Sequence, residues 1–153
     1  MPSTSSLLDI QTAVMAVLVG DATLVGLLTS VDPPIAGVDN ILNYEPQSPP
    51  SEFIVVANAT EQGWNTLGGM SAGWGWEVTL TVHIYSYYAG DIKALQILNR
   101  VTALLNKPDG LAVTGYGTAI FEYGDKLTKV LIETKDKQER RHIPAVFSIK
   151  VHE

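Results

Sequence analysis

Apolar residues recur at helical spacing from Leu7 to Val19, with Leu7, Ile10, Val14, Val17 and Leu18 on one stripe and Ser5 and Ser6 as candidate N-caps. Gly20 stops this helix, and Asp21 is placed to cap a short second one over Ala22 to Leu28. The adjacent prolines and the glycine of SVDPPIAGVDN make a loop; Ile41 to Tyr44 is a short extended piece, and EPQSPPSE another proline-interrupted connection. FIVVANAT, Phe53 to Thr60, is apolar on both faces at its start, as a central strand should be. In EVTLTVHIYSYY the residues Val78, Leu80, Val82 and Ile84 take one face while Glu77, Thr79, Thr81 and His83 take the other, the mark of a half-buried strand.

Asp91 then caps a helix, DIKALQILNRVTALLNK, whose buried stripe is read as Ala94, Leu95, Leu98, Val101 and Leu105. YGTAIFEYG and KLTKVLIETKD are two β-rich runs, and Gly124-Asp125 between them suits a hairpin turn. A charged link, KDKQERR, leads to HIPAVFSIKVHE, in which Ile143, Ala145, Phe147, Ile149 and Val151 alternate with their neighbours. The order predicts one α+β domain with N-terminal helices and a mainly antiparallel sheet carrying one long helix on one face.

Composition narrows what such a domain can do. The chain has 153 residues, enough for one sizeable core, and a formal charge of -6. That acidity argues against tight non-specific binding of DNA or RNA, which requires a basic face. There is no cysteine, which excludes disulfides and thiolate chemistry. No Lys or Arg precedes the apolar N-terminal run, and Asp9, Gln11 and Asp21 interrupt it, so it reads as neither a secretory signal nor a membrane span.

Catalytic and metal-binding patterns are missing from the linear sequence. His83, His142 and His152 share no ligand spacing, and a structural or solvent-facing role is expected of each. Glu61, Glu77, Glu122 and Glu133 sit on separate segments, so no catalytic residue, metal or cofactor is assigned. The glycine-rich stretch LGGMSAGWGWE lacks the lysine of a phosphate-binding loop, and it opens a strand where a dinucleotide fingerprint would open a helix. Trp64, Trp74 and Trp76 could stack bases, yet no lysine or arginine occurs between Glu61 and Lys93. The long connection from about 61 to 76 is therefore read as an aromatic-bearing loop. Its Trp64, Met70, Trp74 and Trp76 are candidate subunit-interface residues, with burial against the domain's own core as the alternative. Arg140 and Arg141, in the densest charge of the chain, are further candidates for contact with an acidic neighbour; a solvated turn is the alternative.

The order of elements resembles the tail terminator, or tail completion, proteins of long-tailed bacteriophages, a family of head-tail joining proteins. The matching parts are the opening amphipathic helix, DATLVGLL, the stretch NILNYEPQSPPSEFIVV, the strand VTLTVHIYS, the helix DIKALQILNRVTALL and the last strand RRHIPAVFSIKV. The Glu-Phe pair of SPPSEFIVV stands where the family usually has Pro-Tyr, and the aromatic loop is longer. The resemblance implies one domain over 1–153 that is not an enzyme. It implies a ring, commonly a hexamer, that caps the tail tube, stops its polymerisation and meets the connector at the neck, while DNA passes through the lumen without specific binding. Partners would be copies of itself, the tail tube protein and the connector, with no membrane; the place would be the virion, after assembly in the host bacterial cytoplasm. A neck adaptor or tube-like virion protein is the alternative within this class, and a small-molecule-binding domain or enzyme the alternative outside it.

Overall fold

A computed structural model describes residues 6–31, 34–65, 74–107, 109–113, 117–123 and 129–152 of the chain. Helix α1 (Ser6–Val19) leads into α2 (Ala22–Leu28) through Gly20 and Asp21. Asp21 accepts a hydrogen bond from the Leu24 N–H at 2.7 Å, as an N-cap should. A two-stranded ladder of β1 (Ser30–Val31) and β2 (Pro34–Ile35) precedes a 3-10 turn over Gly37–Asn40. The last carbonyls of α2 would be orphaned, and two side chains take them up. Thr29 donates to the Val25 carbonyl at 2.7 Å, and buried Asn40 donates to that of Leu28 at 2.6 Å. Gly37 packs so closely on this helix end that a Cβ there would lie 1.9 Å from the Val25 oxygen.

The main sheet contains β3 (Ile41–Leu42), β4 (Glu52–Asn65), β5 (Trp74–Ser86), β6 (Leu111–Val113), β7 (Gly117–Tyr123), β8 (Leu131–Lys135) and β9 (Gln138–His152). Its order is β3-β4-β5-β9-β7-β6, with β8 also paired to β9. The β3–β4 pair is parallel and the others are antiparallel. Helix α3 (Ile92–Leu105) connects β5 to β6. One core joins the three helices to one face of the sheet, with Ile10, Val14, Leu18, Leu24 and Leu28 set against Ile54, Val56, Leu80, Val82, Ala145 and Phe147. This is the α+β arrangement expected from the order of elements. The bend of 81° between α1 and α2 lets both apolar stripes reach that core, and among the described residues no single helix is long and apolar enough to cross a membrane.

Four local expectations change. The buried stripe of α3 contains Ile97, fully buried, and leaves Leu95 39% exposed. Positions 94, 97, 98, 101 and 105 form the stripe because α3 turns the 97/101 side toward β5 and β9. The strands of the β4–β5 hairpin run on through Asn65 and from Trp74, so residues 61–65 and 74–76 belong to the ladder and only 66–73 connect it. A β-bulge between Ala57 and Thr60 shifts the register on the way. Strands β7 and β8 do not pair with each other, because both lie on the same edge of β9, at Phe147–Val151 and Gln138–His142. Gly124-Asp125 lies outside the described residues. The tight hairpin turn is instead Asp136-Lys137, both at positive φ (50° and 66°), which joins β8 to β9 and places the supposed charged link inside a strand pair.

Candidate functional site

Among the described residues the second face of the sheet carries no helix, and alternation along three strands puts a polar cluster there. On β5, His83 and Tyr85 point away from the helices because Val82, Ile84 and Ser86 belong to the opposite face. On β9, Arg140 and His142 share that side, while Ile143 and Ala145 point into the core. Tyr85 and His142 are directly paired across the ladder and their rings stack at 4.3 Å. Phe53 of β4 stacks on the Tyr85 ring at 4.7 Å, and with Val55 the two form a second small apolar cluster.

Arg140 is the hub. Its guanidinium lies 4.4 Å over the Tyr85 ring, donates from Nε to Glu133 Oε2 at 2.9 Å, and donates from Nη1 to Glu45 Oε1 at 2.6 Å. Glu45 comes from the loop after β3 and also accepts from Lys135. Glu133 holds a second partner through its other oxygen, with His142 Nδ1 at 2.8 Å. His142 Nε2 in turn lies 2.9 Å from His83 Nδ1. Carboxylate, imidazole and imidazole thus form a string running from β8 through β9 to β5.

The electrostatics follow from burial and pairing. Burial alone would push Glu133 up, but hydrogen bonds from His142 and Arg140 outweigh it and hold the carboxyl below its ordinary range. Glu45 is lowered for the same reason, with Lys135 and Arg140 overcoming its desolvation. Burial lowers His83, and a like charge on His142 would lower it further, against the raising effect of Glu133 and Glu45. Burial raises Tyr85 to about 12, with Glu45 adding to it. The cluster therefore rests with anionic carboxylates, a cationic Arg140 and a neutral His83. Its atoms are largely engaged with one another, which suits fastening three strands and a loop together. Among the described residues no group of three or more His, Asp or Glu is arranged to hold a metal ion.

Arg140 and Arg141, singled out in the sequence, both turn to carboxylates of their own chain. Arg141 donates to Asp91 at 2.9 Å and to Glu139. Asp91 consequently does not cap α3 with its side chain, contrary to expectation, because its carboxylate is drawn to Arg141. Trp64 lies on β4 opposite Gly75, Trp74 opens β5 opposite Asn65, and Trp76 is paired with Gly63 and Val151. Met70 and the side chains of these tryptophans lie outside the described residues, as does the side chain of His152. Sequence reasoning missed the meeting of His83 with His142 and of Glu45 with Arg140. The residue separations, 59 and 95, carry no local signal. What could have pointed to it is the alternation that sets His83 and Tyr85 on one face of β5 and Arg140 and His142 on one face of β9.

A protein chain described as "Virion of native gene transfer agent (GTA) particle" has the same fold. It is 18% identical, superposes with a TM-score of 0.70, and the match covers 99% of this chain and 100% of that one. No protein-family model matches the chain, and no curated protein sequence matches it.

Proposed function

We propose that the chain is a structural protein of a phage-like virion and, within it, the tail terminator that closes the tail tube and meets the connector. The observation that carries this reading is the fold shared with a chain of a gene transfer agent virion over 99% of this chain and 100% of that one. The resemblance of element order to tail terminators supports the finer assignment. The polar cluster fits a structural role, since its charges are spent on holding strands and a loop in register. Strand β8 supports assembly: among the described residues it pairs only with β9, and it exposes Leu131 at 39% and Ile132 at 64%. An apolar strand edge of this kind is normally covered, and a neighbouring copy in a ring would cover it.

The test is electron microscopy of particles made without the gene, beside the mass of the purified chain. Loss of a terminator leaves overlong tails, and the purified chain forms rings alone or on meeting tube protein. Tails of normal length that fail to join heads would move the protein to the neck adaptor position. A chain that stays monomeric and shows no affinity for tail tube would overturn the reading.

A further inference from the structure

At the start of β4 the side chain of Glu52 lies on the helix side of the sheet, in line with Ile54 and Val56. Glu52 is 8% exposed. Among the described residues its carboxylate accepts no hydrogen bond and forms no ion pair, unlike Glu45 and Glu133. It lines a cavity of about 320 Å³ whose other walls are Tyr88, Ile92, Lys93 and Gln96. Of these, Tyr88 and Ile92 are 59% and 70% exposed, large apolar side chains lining the same cavity as one buried acidic group.

A carboxylate this buried, with no hydrogen bond or ion pair among the described residues, is costly as an anion, and a donor from outside would lower that cost. Desolvation accordingly raises Glu52 above its ordinary value, and the Lys93 ammonium, too far for an ion pair, opposes that only through space. A buried carboxylate sharing a cavity with an exposed aromatic ring and an exposed aliphatic side chain matches a cation on an apolar stem, which would pack its stem on Ile92 and Tyr88 and bring its head to the carboxylate. Exposed Tyr and Ile beside a desolvated charge are the composition of a protein interface centre, which favours a side chain of a protein over a free amine.

We propose that the Glu52 cavity receives a basic side chain, arginine or lysine, from a neighbouring protein chain. The source of the side chain rests on the assembly reading above; the cation preference of the cavity does not.

Two measurements separate these parts. The full-length chain is titrated with n-butylguanidinium and with the neutral, equally planar n-butylurea, while NMR follows Tyr88, Ile92, Gln96 and the Glu52 carboxyl carbon. Saturable shifts with butylguanidinium alone are expected, with the affinity reduced about tenfold or more in Glu52→Gln, which keeps the shape and removes the anion. Equal binding of butylurea, or no saturation by either probe, would overturn the cavity's cation preference. The second measurement is ring or tube association of Glu52→Gln against wild type, expected to weaken about tenfold or more. Unchanged association by a variant that no longer binds the probe would overturn a protein side chain as the occupant. Failure of the wild type itself to associate would overturn the assembly reading, and the occupant with it, while the titration still reports on the cavity.

Discussion

The Nδ1 atom of His83 lies 2.9 Å from the Nε2 atom of His142, with room for one hydrogen between them. With Glu133 accepting from His142 Nδ1, the arrangement leaves His142 Nε2 to accept and His83 Nδ1 to donate. A proton added at His142 Nε2 would set two donors face to face, close to the Arg140 cation.

The pair should make the fold sensitive to mild acid. His83 is depressed in the folded chain, so the unfolded chain takes up its proton more readily. Stability is then full above the ordinary value of 6.5 and falls as pH drops through that value toward the folded one. The lowered carboxyls Glu45 and Glu133 act in a separate window, their contribution being lost only as pH falls below the ordinary 4.5. Urea midpoints measured across pH should show both steps. In His83→Gln the upper step should flatten while the lower one remains.

Removing the hub should be more costly than removing either carboxylate. Arg140→Ala leaves Glu45 and Glu133 in a partly buried site without their shared cation and strips the Tyr85 ring of its cover, a loss of about 3 kcal/mol in urea unfolding. Arg140→Lys should recover only part of it, since one ammonium cannot span two carboxylates and lie flat on a ring. Full recovery by lysine would show that charge alone matters there.

Gly37 should tolerate no side chain. A methyl group there would meet the Val25 carbonyl oxygen at 1.9 Å and its carbon at 2.8 Å, backbone atoms with no rotamer to escape into. Gly37→Ala should cost roughly 1–3 kcal/mol, read as a lowered thermal midpoint. The neighbouring Gly26 is the control: nothing lies within 4 Å of its added Cβ, and Ala should be neutral or stabilising in that helix.

The β8–β9 turn should be improvable. Asp136 and Lys137 both adopt positive φ, a conformation asparagine and glycine hold more easily. Replacing the pair by Asn-Gly should raise stability by about 0.5–1 kcal/mol in the same urea assay. A decrease would mean the two side chains make contacts that matter more than the backbone.

Much of the architecture was legible in the chain because local periodicity is a direct consequence of which face is buried. The alternation of Val78, Leu80, Val82 and Ile84 specified a strand and its core face, and all four are fully buried. The Asp21 cap and the Gly20 stop were equally local, since a cap needs only the next three residues. What failed locally were contests between near neighbours. Asp91 was a good cap by sequence, but Arg141, 50 residues on, took its carboxylate. The KDKQERR segment looked like a charged link because its charges were counted without their partners, whereas pairing across β9 buries Arg140 and turns it on Glu45 and Glu133.

The sequence by itself therefore determined the three helices, the centres of the long strands, the core face of β5 and the absence of cysteine chemistry, all set by spacing of a few residues. Only the tertiary structure decided the sheet order, the placing of β7 and β8 along one edge of β9, and the convergence of Glu45, His83, Glu133, Arg140 and His142. It also decided the solitude of Glu52. Those relationships depend on which strands pair and in what register, a matter of contacts between residues far apart in the chain, and no local pattern encodes them.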